Sequence, residues 1–135
     1  METTAVLTEN EISKICLDAA FKVHTALGPG LLEHAYEQCL VYELRKLGLE
    51  VDHQPLLPLV YEELELESGY RADIVVNKKV IIEVKAVDIL HDVHRPQVLT
   101  YLKLSKCKLG LLINFNVMWL KEGIKRIING SLENA

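Results

Sequence analysis

Cysteine is scarce in this chain and never paired: Cys16, Cys39 and Cys107 stand far apart, with no CxxC among them. That excludes a disulfide framework and a thiolate zinc site, and the apolar neighbours of each thiol predict buried, reduced cysteines. Long hydrophobic runs are missing as well. No stretch reaches the ~18–20 apolar residues that a membrane-spanning helix needs. The start, METTAVLTEN, has neither the basic opening nor the apolar run of a secretory leader. A cytoplasmic protein with no membrane contact is the expectation. Positive charge is not in excess: 15 Lys and Arg against 19 Asp and Glu give a net charge of −4. Such a balance argues against coating nucleic acid through many phosphate contacts. It leaves metal-dependent chemistry open, because metal-binding carboxylates add negative charge that bound cations offset.

Several motifs are also missing. His24, His34, His53, His91 and His94 form no HxH or HExxH spacing, which argues against a zinc hydrolase. Gly28-Pro29-Gly30 lacks a GK[ST] ending and does not follow a strand, so it reads as a turn between helices and not as a phosphate loop. No Ser, His and Asp grouping resembles a triad.

What remains is an ordinary globular composition. Half of the 135 residues are hydrophobic and a quarter charged, enough for one domain over 1–135 with its own core. Thr8-Glu9-Asn10-Glu11 has the form of a capping box. Ile12, Ile15, Cys16, Ala19, Ala20, Val23 and Leu27 then recur at three and four, predicting a helix that stops at Gly28. A second helix is expected over about 31–47. The middle reads as β: one strand or two short ones over 51–61, broken near Pro55 and Pro58, then strands over 70–76 and 80–87. Glu62, Glu63, Glu65 and Glu67 predict a solvated turn or edge strand. A helix over about 93–105, a buried strand over 108–115, a short strand over 117–120 and a terminal element over 123–129 complete a mixed α/β order.

The central hairpin carries the chemistry. Ala72, Ile74, Val76, Val80, Ile82 and Val84 alternate with Arg71, Asp73, Val75, Ile81, Glu83 and Lys85, so one face is apolar and the other holds every charge. A three-residue loop, Asn77-Lys78-Lys79, pairs Val76 with Val80 and sets Asp73 opposite Glu83 and Arg71 opposite Lys85. A two-residue loop would push charge into the apolar face. Facing carboxylates repel unless a cation lies between them, and hard oxygen ligands suit Mg²⁺. Lys85 could activate a water there or stabilise charge on a phosphate. The residues alone also allow a solvated ion-pair ladder. Val75 and Ile81 on the charged face, and Gln97 and Tyr101 one turn apart on the next helix, favour a covered site. His94, one turn before Gln97, could touch phosphate or be a helix-start or surface histidine.

Asp73, then Glu83-Val84-Lys85, then a helix with Gln97 resembles the PD-(D/E)XK nuclease superfamily. Gly30-Leu31-Leu32-Glu33-His34-Ala35-Tyr36-Glu37-Gln38-Cys39-Leu40 resembles the signature of the GxxExxY protein family, and the likeness extends over about 8–130. The resemblance implies a restriction-endonuclease-like core, with a mixed sheet of about four or more strands flanked by helices on both faces. It implies Glu33, Asp73 and Glu83 as metal ligands, Lys85 as the catalytic lysine and Gln97 as a further polar residue. It implies a Mg²⁺-dependent nuclease, Mn²⁺ substituting, that acts on nucleic acid, expected to be DNA. Arg71, Tyr101 and His94 are the expected substrate contacts. Ala72 stands where a proline often precedes the aspartate. The alternative is a nuclease-fold accessory subunit, and a homodimer or larger complex fits so small a chain.

Overall fold

The computed structural model describes residues 6–67 and 69–132. Residues 1–5, part of the stretch read for a leader, lie outside it. Helix α1 spans Glu9–Leu27 and opens on the expected capping box. The Thr8 hydroxyl accepts the Glu11 amide at 3.1 Å, and the Glu11 carboxylate accepts the Thr8 amide at 2.9 Å. Gly28 ends the helix at φ 68°, a conformation that favours glycine. Helix α2 spans Glu33–Lys46 and α3 spans His94–Ser105.

Among the described residues there are seven strands, in chain order β1 Val51–His53, β2 Leu59–Tyr61, β3 Leu64–Leu66, β4 Ile74–Val76, β5 Val80–Lys85, β6 Leu109–Asn114 and β7 Ile124–Ile128. Five form one sheet in the order β1-β4-β5-β6-β7, while β2 and β3 make a separate ribbon. Within the large sheet only β5 and β6 run parallel. A parallel pair requires a crossover, which α3 supplies.

Two apolar layers hold the sheet. Ile74, Val76, Val80, Ile82 and Val84 pack with Leu109, Leu111 and Ile113 against Ile12, Cys16, Ala20, Tyr36 and Leu40 of α1 and α2. On the other face Val75, Ile81, Leu112 and Ile127 meet Val98, Tyr101 and Leu102 of α3. This mixed sheet, with helices on both faces, is the expected restriction-endonuclease-like core. No helix among the described residues is long and apolar enough to cross a membrane. Cys16 and Cys107 are buried and Cys39 partly so, and burial pushes the Cys16 thiol up to about 12.

The hairpin register is the expected one, Val76 pairing with Val80. Its first strand is shorter, however, beginning at Ile74 and not near residue 70. The Asp73 amide turns to the Glu83 carboxylate and the Asp73 carbonyl accepts the Gln54 amide, which bends the chain. Arg71 therefore bridges Leu56 and does not face Lys85, and Ala72 joins the α3 side of the core. The expected strand at 117–120 is absent. Met118 and Trp119 are exposed, Leu120 is buried, and a 3₁₀ turn runs over Leu120–Gly123. The segment over 51–61 forms two strands in different sheets, as prolines without amide donors at 55 and 58 require. The acidic stretch is the exposed turn and β3.

Candidate metal centre

Asp73 precedes β4 and Glu83 lies near the end of β5, so the Ile74–Ile82 pairing brings them together. Two hydrogen bonds interlock them. The Glu83 carboxylate accepts the Asp73 amide at 2.7 Å, and the Asp73 carboxylate accepts the Val84 amide at 2.8 Å. Each carboxylate thus commits one oxygen to the backbone, which fixes where its other oxygen points. Glu83 is only 4% exposed. Burial pushes its carboxyl well above the usual range, and the Asp73 charge pushes it further. Burial raises Asp73 too, with Glu37 and Glu33 adding to the rise, while the Val84 amide and Lys85 oppose it. A buried pair of this kind favours either a shared proton or a cation.

Glu33 is the first residue of α2, and its carboxylate accepts the Ala86 amide at 3.3 Å, just past Lys85. The turn before it is pinned from several sides. The Tyr36 hydroxyl donates to the Gly28 carbonyl at 2.5 Å and accepts the Leu31 amide at 3.1 Å. The Tyr36 ring stacks on Phe115 at 4.7 Å, and the Asn116 side chain accepts the Gly30 amide. Tyr36 thereby sets where Glu33 starts.

Lys85 is half-buried at the end of β5 and forms no direct ion pair with a carboxylate among the described residues. With His94 and Gln97 it lines a cleft of about 490 Å³ whose wall includes Val93, Pro96 and Thr100. The Gln97 amide donates to the Tyr101 hydroxyl at 3.1 Å. Burial raises the Tyr101 phenol, and the Glu83 charge adds to the rise. His94 is shifted the other way, first by burial and then by Lys85 and His91, which favours its neutral ring. Its Nδ1 is buried without a hydrogen-bond partner among the described residues.

Glu33, Asp73, Glu83, Lys85, His94, Gln97 and Tyr101 thus converge around the carboxyl ends of β5 and β6 and the start of α3, the region where open α/β sheets hold ligands. Arg71 does not join them: its guanidinium donates to the Gln54 carbonyl at 3.0 Å. Nor do the three acids close into a cage. Among the described residues no three His, Cys, Asp or Glu side chains are gathered tightly enough to hold a metal. Glu33 is turned to the Ala86 amide and stands beside the pair. The donor set still fits Mg²⁺, which takes one or two protein carboxylates and keeps several waters.

Four further residues support the site. Glu37, one turn beyond Glu33 and 4% exposed, accepts His53 Nε2 at 2.7 Å and the Gln54 side-chain amide at 3.0 Å. Gln54 adopts a left-handed backbone at φ 56°, and its own amide donates to the Asp73 carbonyl at 2.8 Å. Glu37 thereby holds the segment that holds Asp73. The i, i+4 spacing of Glu33 and Glu37 signals their shared face, but nothing local marks His53 or Gln54 as their partners. Asn114, buried at the end of β6, accepts the Val87 amide at 3.0 Å and donates to the Val87 carbonyl at 2.9 Å. It clamps the chain that leaves Lys85.

No curated protein and no solved structure matches this chain. The family profile of the PD-(D/E)XK nuclease superfamily matches residues 10–127, a span that includes every residue of the centre. Enzymes of that superfamily generally use divalent metal ions. With a restriction-endonuclease-like sheet that brings Asp73 and Glu83 together beside Lys85, the chain belongs to the PD-(D/E)XK nuclease superfamily.

Proposed function

We propose that this protein is a Mg²⁺-dependent nuclease, Mn²⁺ substituting, that hydrolyses phosphodiester bonds in DNA. The observation that carries the reading is the interlocked Asp73–Glu83 pair, two residues from Lys85, which lines a cleft with His94 and Gln97. Asp73 and Glu83 hold the cation, and Glu33 adds a third carboxylate beside it. A cation held there would offset the charge of the pair and supply a Lewis acid for a phosphate oxygen. Lys85 orients the attacking water and offsets charge that develops on the phosphate. Gln97, held to Tyr101, presents its amide to water or phosphate. His94 lines the path of the substrate backbone, Tyr101 reaches it through Gln97, and Arg71 contacts it further out.

The test is cleavage of double- and single-stranded DNA, with RNA in parallel, by purified protein in Mg²⁺, Mn²⁺ or EDTA. Metal-dependent cleavage of DNA is expected, falling by about 10²-fold or more in Asp73→Ala and Lys85→Ala. Cleavage of RNA alone would move the substrate assignment. Mn²⁺ binding without cleavage of any substrate would overturn the enzyme and leave the accessory subunit.

A further inference from the structure

The β2–β3 ribbon pairs with no strand of the large sheet, and most of its side chains are exposed. Leu59 pairs with Leu66 and Tyr61 with Leu64, so these four side chains share one face of the ribbon. Tyr61 is 67% exposed and Leu64 55% exposed, and no ribbon residue belongs to either apolar core. An isolated two-stranded ribbon is marginal in water, so an apolar face on one calls for a cover. On the other face Val60 pairs with Glu65, Glu62 and Glu63 form the tip, and Glu67 follows β3. No Lys, Arg or His stands between Gln54 and Arg71. Phosphate backbones are repelled by such a surface, which points to a protein partner with basic groups around an apolar floor.

This chain carries a surface of that description. A groove of about 550 Å³ beside α2 is lined by Val41 and Tyr42 together with Gln38, Arg45, Lys46 and His53. Lys46 and Lys22 share the single carboxylate of Glu43, so positive charge is left over. Tyr42 is 63% exposed. The groove reaches His53, the last residue of β1, and the ribbon begins soon after at Leu59. Groove and ribbon are thus near neighbours along the chain, and a two-fold axis close to His53 can exchange them between two copies.

We propose that two copies of this protein form a reciprocal dimer, the acidic ribbon of each seated in the basic α2 groove of the other. The exchange closes on itself, as a two-fold contact must, and does not propagate. The exchange gives each chain both a ribbon and a groove contact, which doubles the area that a one-way contact would bury.

Sedimentation velocity of the full chain from about 1 to 100 µM tests this directly. A concentration-dependent dimer weakened by salt is expected. Leu64→Glu in the ribbon and Tyr42→Glu in the groove should each weaken it about tenfold or more, with the melting temperature of the dilute monomer unchanged because both side chains are exposed. Mixing the two variants is the sharper measurement. The Leu64→Glu chain keeps its groove and the Tyr42→Glu chain keeps its ribbon, so a mixed dimer retains one intact contact. The mixture should therefore associate more strongly than either variant alone. A monomer throughout the range overturns the proposal. So does a dimer indifferent to Tyr42→Glu, which would mean ribbon-to-ribbon packing, or one indifferent to both variants.

Discussion

Glu83 and Asp73 face each other with little water to screen them, and the fold spends its nearest backbone amides on holding them there. The folded-state carboxyls lie above their ordinary values, Glu83 the further, up to about 8. Protonation therefore stabilises the metal-free protein. That contribution is complete below the ordinary carboxylate value of 4.5 and is lost as pH rises towards about 8. The thermal midpoint of metal-free protein should fall across this interval. Mg²⁺ bound as proposed would compete with the same protons, so it should raise the midpoint more at the alkaline end than at the acid end. Glu83→Gln preserves an acceptor for the Asp73 amide while removing the charge. Its metal-free midpoint at pH 8 should exceed wild type by a few degrees and show no response to Mg²⁺. Melting both proteins over the pH range, with and without the ion, checks this. A wild-type midpoint that rises with pH would contradict the reading of the pair.

Between β6 and β7 the chain turns through Gly123, and a side chain there would press into the Asn114 carbonyl, well inside van der Waals contact. Backbone cannot yield as a flexible side chain can, so Gly123→Ala should destabilise the protein by about 1–3 kcal/mol in urea unfolding. Asn114 also clamps Val87 behind Lys85, so the same change should lower nuclease activity at temperatures where the protein stays folded. Gly110→Ala is the control. Its Cβ would meet Val98 at 2.7 Å under α3, which strains the core without touching that clamp. The contrast shows which elements could be read from sequence. Helix α1, the hairpin register and the burial of β6 follow from periodicity, capping and loop length, all of them local. Asp73 and Glu83 could be paired for the same reason. The early end of β4, the side on which Ala72 lies and the place of Arg71 could not, because they follow from the Gln54 amide and the Glu83 carboxylate reaching across from distant segments. The Glu37–His53–Gln54 support is likewise tertiary. Trp119 and Met118 have apolar side chains that suit a strand, but no neighbour pairs with them there.

For the molecule as a whole, charge decides how substrate can be held. With a net charge of −4 the protein has no excess of cations to grip a duplex, and its ribbon is acidic. Its cations near the centre are few. Lys85 opens onto the cleft, and Arg95 and Lys125 line a neighbouring depression with His91. Until a cation sits between Asp73 and Glu83, a phosphate approaching Lys85 also meets two acids. Binding should therefore depend on metal as strongly as cleavage does. Ca²⁺ separates the two, because it takes carboxylate oxygens in flexible geometry and can hold substrate without supporting the reaction. In fluorescence anisotropy with a short labelled DNA, EDTA should abolish binding and Ca²⁺ should restore it. The affinity should then fall with salt along a shallow slope of about −2 to −4, the signature of a few phosphate contacts. Arg95→Ala should reduce that slope by about one, whereas Arg45→Ala, on the far side at α2, should leave it unchanged. Tight binding in EDTA, or a slope as steep as about −8, would mean that a basic surface and not the metal centre holds the nucleic acid.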